Sequence, residues 1–226
     1  MSIVEDLGFW KEVIFDEKDV DSKKTLKKGI DANSVVITGD IKKIDLGAFA
    51  NCKKLDVLSM EEGVAHIGHG AFYMCKKLAN IEFADSIEVI DEYAFSGCQT
   101  LKSIVLPFNL REINRGGFSD CIKLENVTFS NNITKIGGYA FAGCKKIKEI
   151  KLPSSVTTIE KMAFSQTSIS SINLPKSLKL LGRDVFINSK LKTVYYEGTE
   201  EEWNEIKNLD INEHLANCKI IFNHSS

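Results

Sequence analysis

Residues 140–159 read AFAGCKKIKEIKLPSSVTTI, and close variants of this segment recur along most of the 226-residue chain. Each variant carries a Phe, usually followed three residues later by a Cys, with apolar residues at fixed offsets. Successive Phe residues are 23 residues apart, with a last step of 22, at Phe49, Phe72, Phe95, Phe118, Phe141, Phe164 and Phe186. Self-similarity at a period of about 20 to 50 residues predicts a solenoid of stacked copies.

The apolar offsets within one copy predict its local structure. In the quoted copy, Ile150 and Leu152 alternate with polar residues, and alternation of period two is typical of a strand with one buried face. The segments KSIVL, ENVTF and KEIKL share this pattern, and Pro107, Pro153 and Pro175 follow three of the predicted strands, where a residue without an N–H can end a ladder. Each copy is therefore predicted as a strand, a turn, a short extended segment and a tight helical turn at the Ala-Phe pair.

A single copy is too small to fold alone, because its few apolar side chains cannot offset the entropy of ordering the segment. Neighbouring copies must bury each other's apolar faces, so both open ends of the stack need caps. We expect one structural domain: an N-terminal cap with a degenerate first repeat over 1–40, repeats over 41–196, and a C-terminal cap over 197–226.

The two caps have their own sequence signals. Trp10, Val13, Ile14 and Phe15 are apolar enough to cover the first copy, and the polar segment 16–24 is predicted as a solvated loop. Thr199 followed three residues later by Glu202 forms a capping box, which predicts a helix from about 200 to 208. Residues 219–222 are predicted as a closing strand that seals the last coil together with Trp203 and Leu215.

Composition limits the class of protein. The chain is 43% hydrophobic with a net charge of −2, which is typical of a globular protein and does not favour nucleic-acid binding. No apolar run approaches the ~20 residues of a membrane span, and the N-terminus lacks the pattern of a signal peptide. We expect a cytoplasmic monomer as the sequence is written, and an extracellular or cell-surface protein if the N-terminus was trimmed.

A ladder of cysteines follows the Phe residues at Cys52, Cys75, Cys98, Cys121 and Cys144. Equivalent atoms in stacked strands are ~4.8 Å apart with parallel side-chain directions, whereas a disulfide needs Cβ atoms about 3.5–4.5 Å apart. Metal ligands must converge, and these side chains do not. The ladder is predicted to consist of free, buried thiols.

The copies AFSGCQTLKSIVLP and AFAGCKKIKEIKLPSSVTTI resemble the leucine-rich repeats of the BspA-like class, also found in TpLRR-type surface proteins. The segment YYEGTEEEWNEIKNLDINEHLANCKIIFN resembles the C-terminal cap of many such proteins from gut Firmicutes. The resemblance covers roughly residues 30 to 223. It implies a curved, right-handed α/β leucine-rich-repeat solenoid and, in function, adhesion or protein–protein binding in bacteria.

The candidate binding surface is the concave face. In each predicted strand the residues flanking the buried middle position point outward onto this face, and solenoids commonly bind partners there. The candidate partner-binding residues are Asn80, Glu82, Ser103, Val105, Asn126, Thr128, Glu149, Lys151, Ser171, Asn173, Thr193 and Tyr195. An alternative is that these mostly polar rows only keep the protein soluble.

Two other groups of residues were weighed as sites. Basic turns after several Cys residues form a lysine edge, made up of Lys53, Lys54, Lys76, Lys77, Lys123, Lys145 and Lys146, and this edge is interpreted as solvated because stacking aromatics are absent from it. His66 and His69 are interpreted as a surface pair instead of a metal site, because no carboxylate or third ligand lies at a suitable spacing.

Catalytic motifs are weak throughout the sequence, so no catalytic residue, cofactor or metal is assigned. We therefore expect a non-enzymatic module that presents the concave strand face to a protein partner. The alternative is a bacterial cell-surface adhesin that binds a host matrix protein or a glycan.

Overall fold

The structure, a computed structural model, describes residues 3–7, 10–16, 18, 25–26 and 32–223, with side chains described for 14–16, 18 and 32–223. The chain forms a strand-rich parallel β-solenoid of about eight turns with little helix. This confirms the predicted repeat solenoid. Within the described residues, none of the helices has the length and apolarity that a bilayer crossing requires.

Two rows of strands run along the stack. The longer strands are β1 (Ile3–Leu7), β2 (Trp10–Phe15), β4 (Ser34–Ile37), β6 (Val57–Met60), β8 (Asn80–Glu82), β10 (Ser103–Val105), β12 (Asn126–Thr128), β15 (Ser171–Leu174), β17 (Thr193–Tyr196) and β18 (Lys219–Ile221). The two-residue strands are β3 (Thr25–Leu26), β5 (Lys43–Ile44), β7 (His66–Ile67), β9 (Val89–Ile90), β11 (Glu112–Ile113), β13 (Lys135–Ile136), β14 (Thr158–Ile159) and β16 (Leu180–Leu181). The surface made by the outward side chains of the longer strands is called the strand face below.

The core is a column of stacked rings. Each of the seven repeat Phe residues is fully buried, and adjacent centroids are 5.0–5.8 Å apart with ring planes within 1–8° of parallel. The in-phase Phe spacing explains this column, because the same position recurs once in each coil.

The Ala-Phe segments form turns and not the helical turns that the pattern predicted. The N–H groups of Phe49 and Asn51 donate to Ala71 and Tyr73 of the next copy, whereas the N–H of Ala50 bonds within its own turn, to Gly47. Every second N–H is thus used between coils, so an α-helical ladder cannot form.

The ladder along the strand face is interrupted in two places. β8 and β10 belong to separate sheets, and so do β12 and β15. The predicted strand at 148–152 is absent, and only a single bridge, between Lys151 and Asn173, marks its position. Here the sequence-based prediction was wrong.

A large aromatic ring precedes each interruption. Phe83 and Phe129 follow β8 and β12 and pack edge-on against Phe95 and Phe141 of their own copies, at centroid distances of 5.4 and 6.1 Å. Most other copies have the smaller Met or Leu at this position. The interruptions therefore coincide with Phe at this position, although Tyr196 at the equivalent position does not prevent β17 from pairing with β18.

The N-terminal segment extends the strand row. β1 and β2 pair antiparallel, β2 continues in parallel with β4, and the ring of Phe15 lies edge-on to Phe49 with centroids 5.5 Å apart. The strand row therefore continues beyond the first coil, and the N-terminal cap over 1–40 stays a prediction. The side chains of Trp10 and Val13 and most of the predicted loop at 16–24 lie outside the described residues.

The C-terminal segment covers the last coil. Thr199 caps helix α1 (Glu200–Asn204) through both predicted capping-box hydrogen bonds, but the helix ends four residues earlier than predicted. Trp203 and Leu215 are buried, and β18 pairs in parallel with β17 as expected. No pattern in the sequence indicates the role of Asn212, which is buried and donates from Nδ2 to the Gly182 carbonyl at 2.8 Å.

The cysteine ladder is buried, and all its thiols are free. From Cys75 onward each Sγ donates to the carbonyl of a Phe in the preceding turn, as Cys144 does to Phe118 at 3.2 Å. Burial raises the pKa of the Cys98 and Cys144 thiols well above the ordinary value. These side chains thus tie neighbouring coils together.

Candidate functional site

The strand face carries the predicted partner-binding residues. Eight are exposed: Asn80, Glu82, Ser103, Val105, Asn126, Thr128, Glu149 and Lys151. The four from the last two copies are half-buried: Ser171, Asn173, Thr193 and Tyr195. All twelve therefore lie at the surface, although their role in binding stays a prediction.

Strand pairing decides which of these residues are neighbours. Ser103 lies opposite Asn126, and Val105 opposite Thr128, in the β10–β12 pair. In the β15–β17 pair, Asn173 lies opposite Tyr195. The interruptions mean that backbone pairing does not join Glu82 to the β10 residues, or Thr128 to the segment 149–151.

The second interruption opens a cleft on the strand face. Its volume is about 490 Å³, and it is lined by Asn126, Val127, Thr128, Phe129, Asn131, Glu149, Ile150, Lys151, Leu152 and Pro153. The lining combines charged and amide groups with the edges of apolar side chains that elsewhere are covered by the next strand. Four of the predicted residues therefore come together around one concavity, which the sequence did not predict.

Two exposed apolar side chains lie beside this cleft. Val105 is 66% exposed and pairs across the sheet with Thr128, which lines the cleft. Phe108 is 57% exposed, and its carbonyl accepts a hydrogen bond from Asn132 at 2.8 Å. Singly exposed apolar side chains are common on protein surfaces, but here two of them lie close to one cleft, which makes this region a candidate contact site.

The lysine edge lies next to the strand face. All its lysines are exposed. Near Lys146 the surface also carries Glu125 and Glu149, so that cations and carboxylates are interspersed. The interpretation of this edge as a solvated surface stays a prediction.

The two predicted surface histidines differ in their contacts. His66 Nε2 lies 2.7 Å from Asp91 Oδ2, a partner that the sequence analysis missed because the two residues are one copy apart. The ring of His69 instead lies 5.8 Å from Tyr93. Within the described part of the chain, no group of three or more His, Cys, Asp or Glu side chains has a geometry that could hold a metal ion.

A row of aromatic and cationic side chains lies on the Ala-Phe turns, away from the strand face. The guanidinium carbon of Arg115 is 6.0 Å from the ring centroid of Tyr93 and 5.4 Å from that of Tyr139, and Lys161 Nζ is 5.7 Å from Tyr139. Together with His69 these residues line up over five successive copies. We call His69, Tyr93, Arg115, Tyr139 and Lys161 the tyrosine–cation row.

The row was not predicted from the sequence, because its members alternate between two positions of the repeat, three and two residues before the Phe. Tyr93 and Tyr139 each lie two residues before a repeat Phe, at a position with a left-handed backbone that is glycine in three other copies: Gly47, Gly70 and Gly116. Their φ values are 56° and 60°, and a left-handed backbone costs a non-glycine residue about 1–2 kcal/mol. A large side chain at a position that favours glycine was the available signal.

The family follows from these repeats. A model of the BspA type leucine rich repeat region matches six copies, over residues 22–123 and 112–209. The chain belongs to the BspA-type leucine-rich repeat family. No curated protein matches this BspA-type chain. The Firmicutes-type assignment of its C-terminal segment stays a prediction.

A solved structure shares the repeat fold. A leucine-rich repeat protein from Bacteroides ovatus aligns over 98% of the BspA-type chain and 74% of its own length, with 22% identity and a TM-score of 0.57. The T. pallidum leucine-rich repeat protein TpLRR aligns over 82% of the chain and 77% of its own, with 25% identity and a TM-score of 0.45. At 22% identity the likeness to the Bacteroides ovatus protein concerns the fold alone, and at a TM-score of 0.45 we base no conclusion on the likeness to TpLRR.

Proposed function

We propose that the protein is a non-enzymatic interaction module that binds a protein partner on its strand face, centred on the cleft between β12 and residues 149–151. Membership of the leucine-rich repeat family supports a general role in binding, because this family suggests a protein-interaction or surface-protein role. The observation that carries the proposal is the position of exposed Val105 and Phe108 beside this polar-rimmed cleft.

The arrangement matches the anatomy of a small interface. Most binding energy in protein interfaces comes from a few side chains near the centre, while surrounding polar groups exclude water and fix the register. Val105 and Phe108 would provide apolar contacts, and Glu149 and Lys151 would pair with charges of the partner. The ordered backbone limits the entropy lost on binding.

Affinity capture with the immobilised protein tests this proposal. Cell lysate and the extracellular fraction of the organism that produces the protein are applied separately. The captured protein is then purified for titration calorimetry. Val105→Asp and the charge swap Glu149→Lys with Lys151→Glu are expected to weaken binding about tenfold or more. Their melting temperatures should stay unchanged, because all three side chains are exposed.

A matched control is Lys145→Glu with Lys146→Glu on the lysine edge, which should bind the partner like the wild type. Full binding by the strand-face variants, combined with loss in the lysine-edge variant, would move the site to that edge and refute the proposal. Loss of binding in Tyr195→Ala as well would extend the contact to the last copies.

The second candidate is a cell-surface adhesin for a host matrix protein or glycan, an expectation that comes from the family resemblance. The adhesin role would be favoured if the immobilised protein captured only material from the host surface. Capture from the lysate would favour an intracellular partner.

A further inference from the structure

We propose that the tyrosine–cation row is a second docking surface, which binds an acidic, proline-containing segment of a partner protein in polyproline II conformation. This surface is distinct from the strand face. Tyr and Arg are the residues enriched at the energetic centres of interfaces, and here they occur together on the turns instead of on the strands.

The charge of the row selects an acidic ligand. Among the described residues, no carboxylate pairs with the side chain of Arg115 or Lys161, whereas Lys135, Lys176 and Arg183 each have an acidic partner. The rings of Tyr93 and Tyr139 hold the Arg115 guanidinium between them, which leaves its planar N–H groups available. A fixed guanidinium with free donors is well suited to a carboxylate.

The tyrosine rings occupy a position whose backbone geometry does not require a side chain. Their left-handed backbone is better served by glycine, which other copies use. The ring of Tyr93 lies over Gly116, where an added Cβ would be 2.4 Å from the ring. Met162 and Asp184 hold the same backbone conformation in later copies, but only Tyr93 and Tyr139 place a ring beside Arg115. Strained positions at a surface are a basis for a functional hypothesis.

The spacing of the row suggests the conformation of the ligand. Arg115 and Lys161 are two copies apart, and the Phe centroids of these copies follow one another in the core at 5.8 and 5.7 Å, so two copies rise by about 11.5 Å. A polyproline II helix brings residues i and i+3 to one side at about 9 Å. Two Glu side chains three residues apart can cover the remaining difference because the Glu side chains and Lys161 are long and flexible.

Shallow depressions flank the row and leave room for proline rings. One, of about 480 Å³, is lined by the exposed Leu46 and Tyr73 together with Tyr93, and its lining is mainly apolar. The other, of about 400 Å³, lies beside Arg115 and Tyr139. Asp120 lines both depressions and would repel further acids, so the ligand needs carboxylates placed towards Arg115 and Lys161 and not a uniform negative charge.

Binding of a synthetic peptide tests the proposal directly. The probe is a fluorescein-labelled Gly-Pro-Glu-Pro-Pro-Glu-Pro-Gly peptide, and the control peptide has Gln in place of both Glu residues. Fluorescence anisotropy at low salt should show saturable binding of the Glu peptide, about tenfold weaker binding of the Gln peptide, and weakening by salt.

The protein variants separate the row from the fold. Arg115→Ala and Tyr139→Gly should weaken binding of the Glu peptide about tenfold, whereas Tyr139→Phe, which keeps the ring, should bind like the wild type. Tyr139→Gly should retain its melting temperature, because glycine suits the backbone there. The strand-face variant Val105→Asp should bind the peptide normally.

Three results would overturn the proposal: no saturable binding, equal binding of the Glu and Gln peptides, or wild-type affinity in both Arg115→Ala and Tyr139→Gly. These outcomes leave the strand-face proposal unaffected, since that is tested with a different ligand and different variants.

Discussion

The rings of Phe118 and Phe141 lie face to face, with centroids 5.8 Å apart and planes 7° from parallel. Both rings are fully buried in the middle of the stack, so each coil supplies part of its neighbour's core. Truncating one of these rings must therefore disturb two interfaces between coils.

Phe118→Ala is expected to lower the free energy of unfolding by about 3–5 kcal/mol, the usual cost of removing a buried aromatic ring. Urea unfolding followed by circular dichroism measures the change. Ser103→Ala, on the exposed strand face, is the control and should change stability by less than about 0.5 kcal/mol. A loss in the free energy of unfolding smaller than that of Ser103→Ala would contradict the stacked core.

Gly137→Ala tests how closely adjacent coils approach. A Cβ at this position would lie 2.6 Å from the Ile113 carbonyl oxygen, so the backbone must shift, and we expect a loss of about 1–3 kcal/mol. The control is the same substitution at the neighbouring residue, Gly138→Ala, whose Cβ would lie 3.3 Å from the nearest atoms, which belong to Lys161. Thermal unfolding of the two variants should rank Gly137→Ala as clearly less stable; the reverse order would contradict the inter-coil contact.

Thiol reactivity should follow burial along the chain. The five ladder cysteines are buried with free thiols, whereas Cys218 is half-buried. In the native protein at pH 8, we expect a disulfide reagent such as DTNB to label Cys218 first, because the buried ladder thiols are inaccessible to the reagent. Cys218→Ser should remove this fast phase, and urea should expose all remaining thiols. Rapid labelling of several thiols in native Cys218→Ser would show that the five ladder cysteines are accessible to the reagent and not buried.

His214 should make stability depend on pH. Burial lowers the pKa of this histidine below its ordinary value of 6.5, and the nearby Asp184 only partly opposes the shift. Between pH 6.5 and the lower pKa of the folded protein, the unfolded chain binds more protons, so stability falls as the pH decreases.

His214→Gln removes this titration and should flatten the loss of stability between pH 7 and 5, as measured by urea unfolding at a series of pH values. His66 and His69 are present in both proteins, so their contributions cancel in the difference. Parallel pH profiles of the two proteins would refute the prediction.

The interrupted ladders show where a sequence pattern stops being informative. The segment 148–152 has the same alternation as the strands before and after it, yet it makes only one bridge. Strand formation depends on how closely two coils approach each other, and the local alternation of apolar and polar residues does not contain that distance. A similar effect occurs at β9 and β11, where the side chain of Asn114 donates to the Ile90 carbonyl at 2.8 Å while the two short strands belong to separate sheets.

By itself, the sequence determined the repeat, its register, the buried Phe column and the cap around Thr199 and Trp203, because each of these depends on local spacing repeated in phase. Only the tertiary structure decided where the strand face opens into a cleft and which turn residues meet. The contact of Arg115 with Tyr93 and Tyr139 depends on the rise and rotation from coil to coil. That geometry is set by packing between copies, and no single copy encodes it.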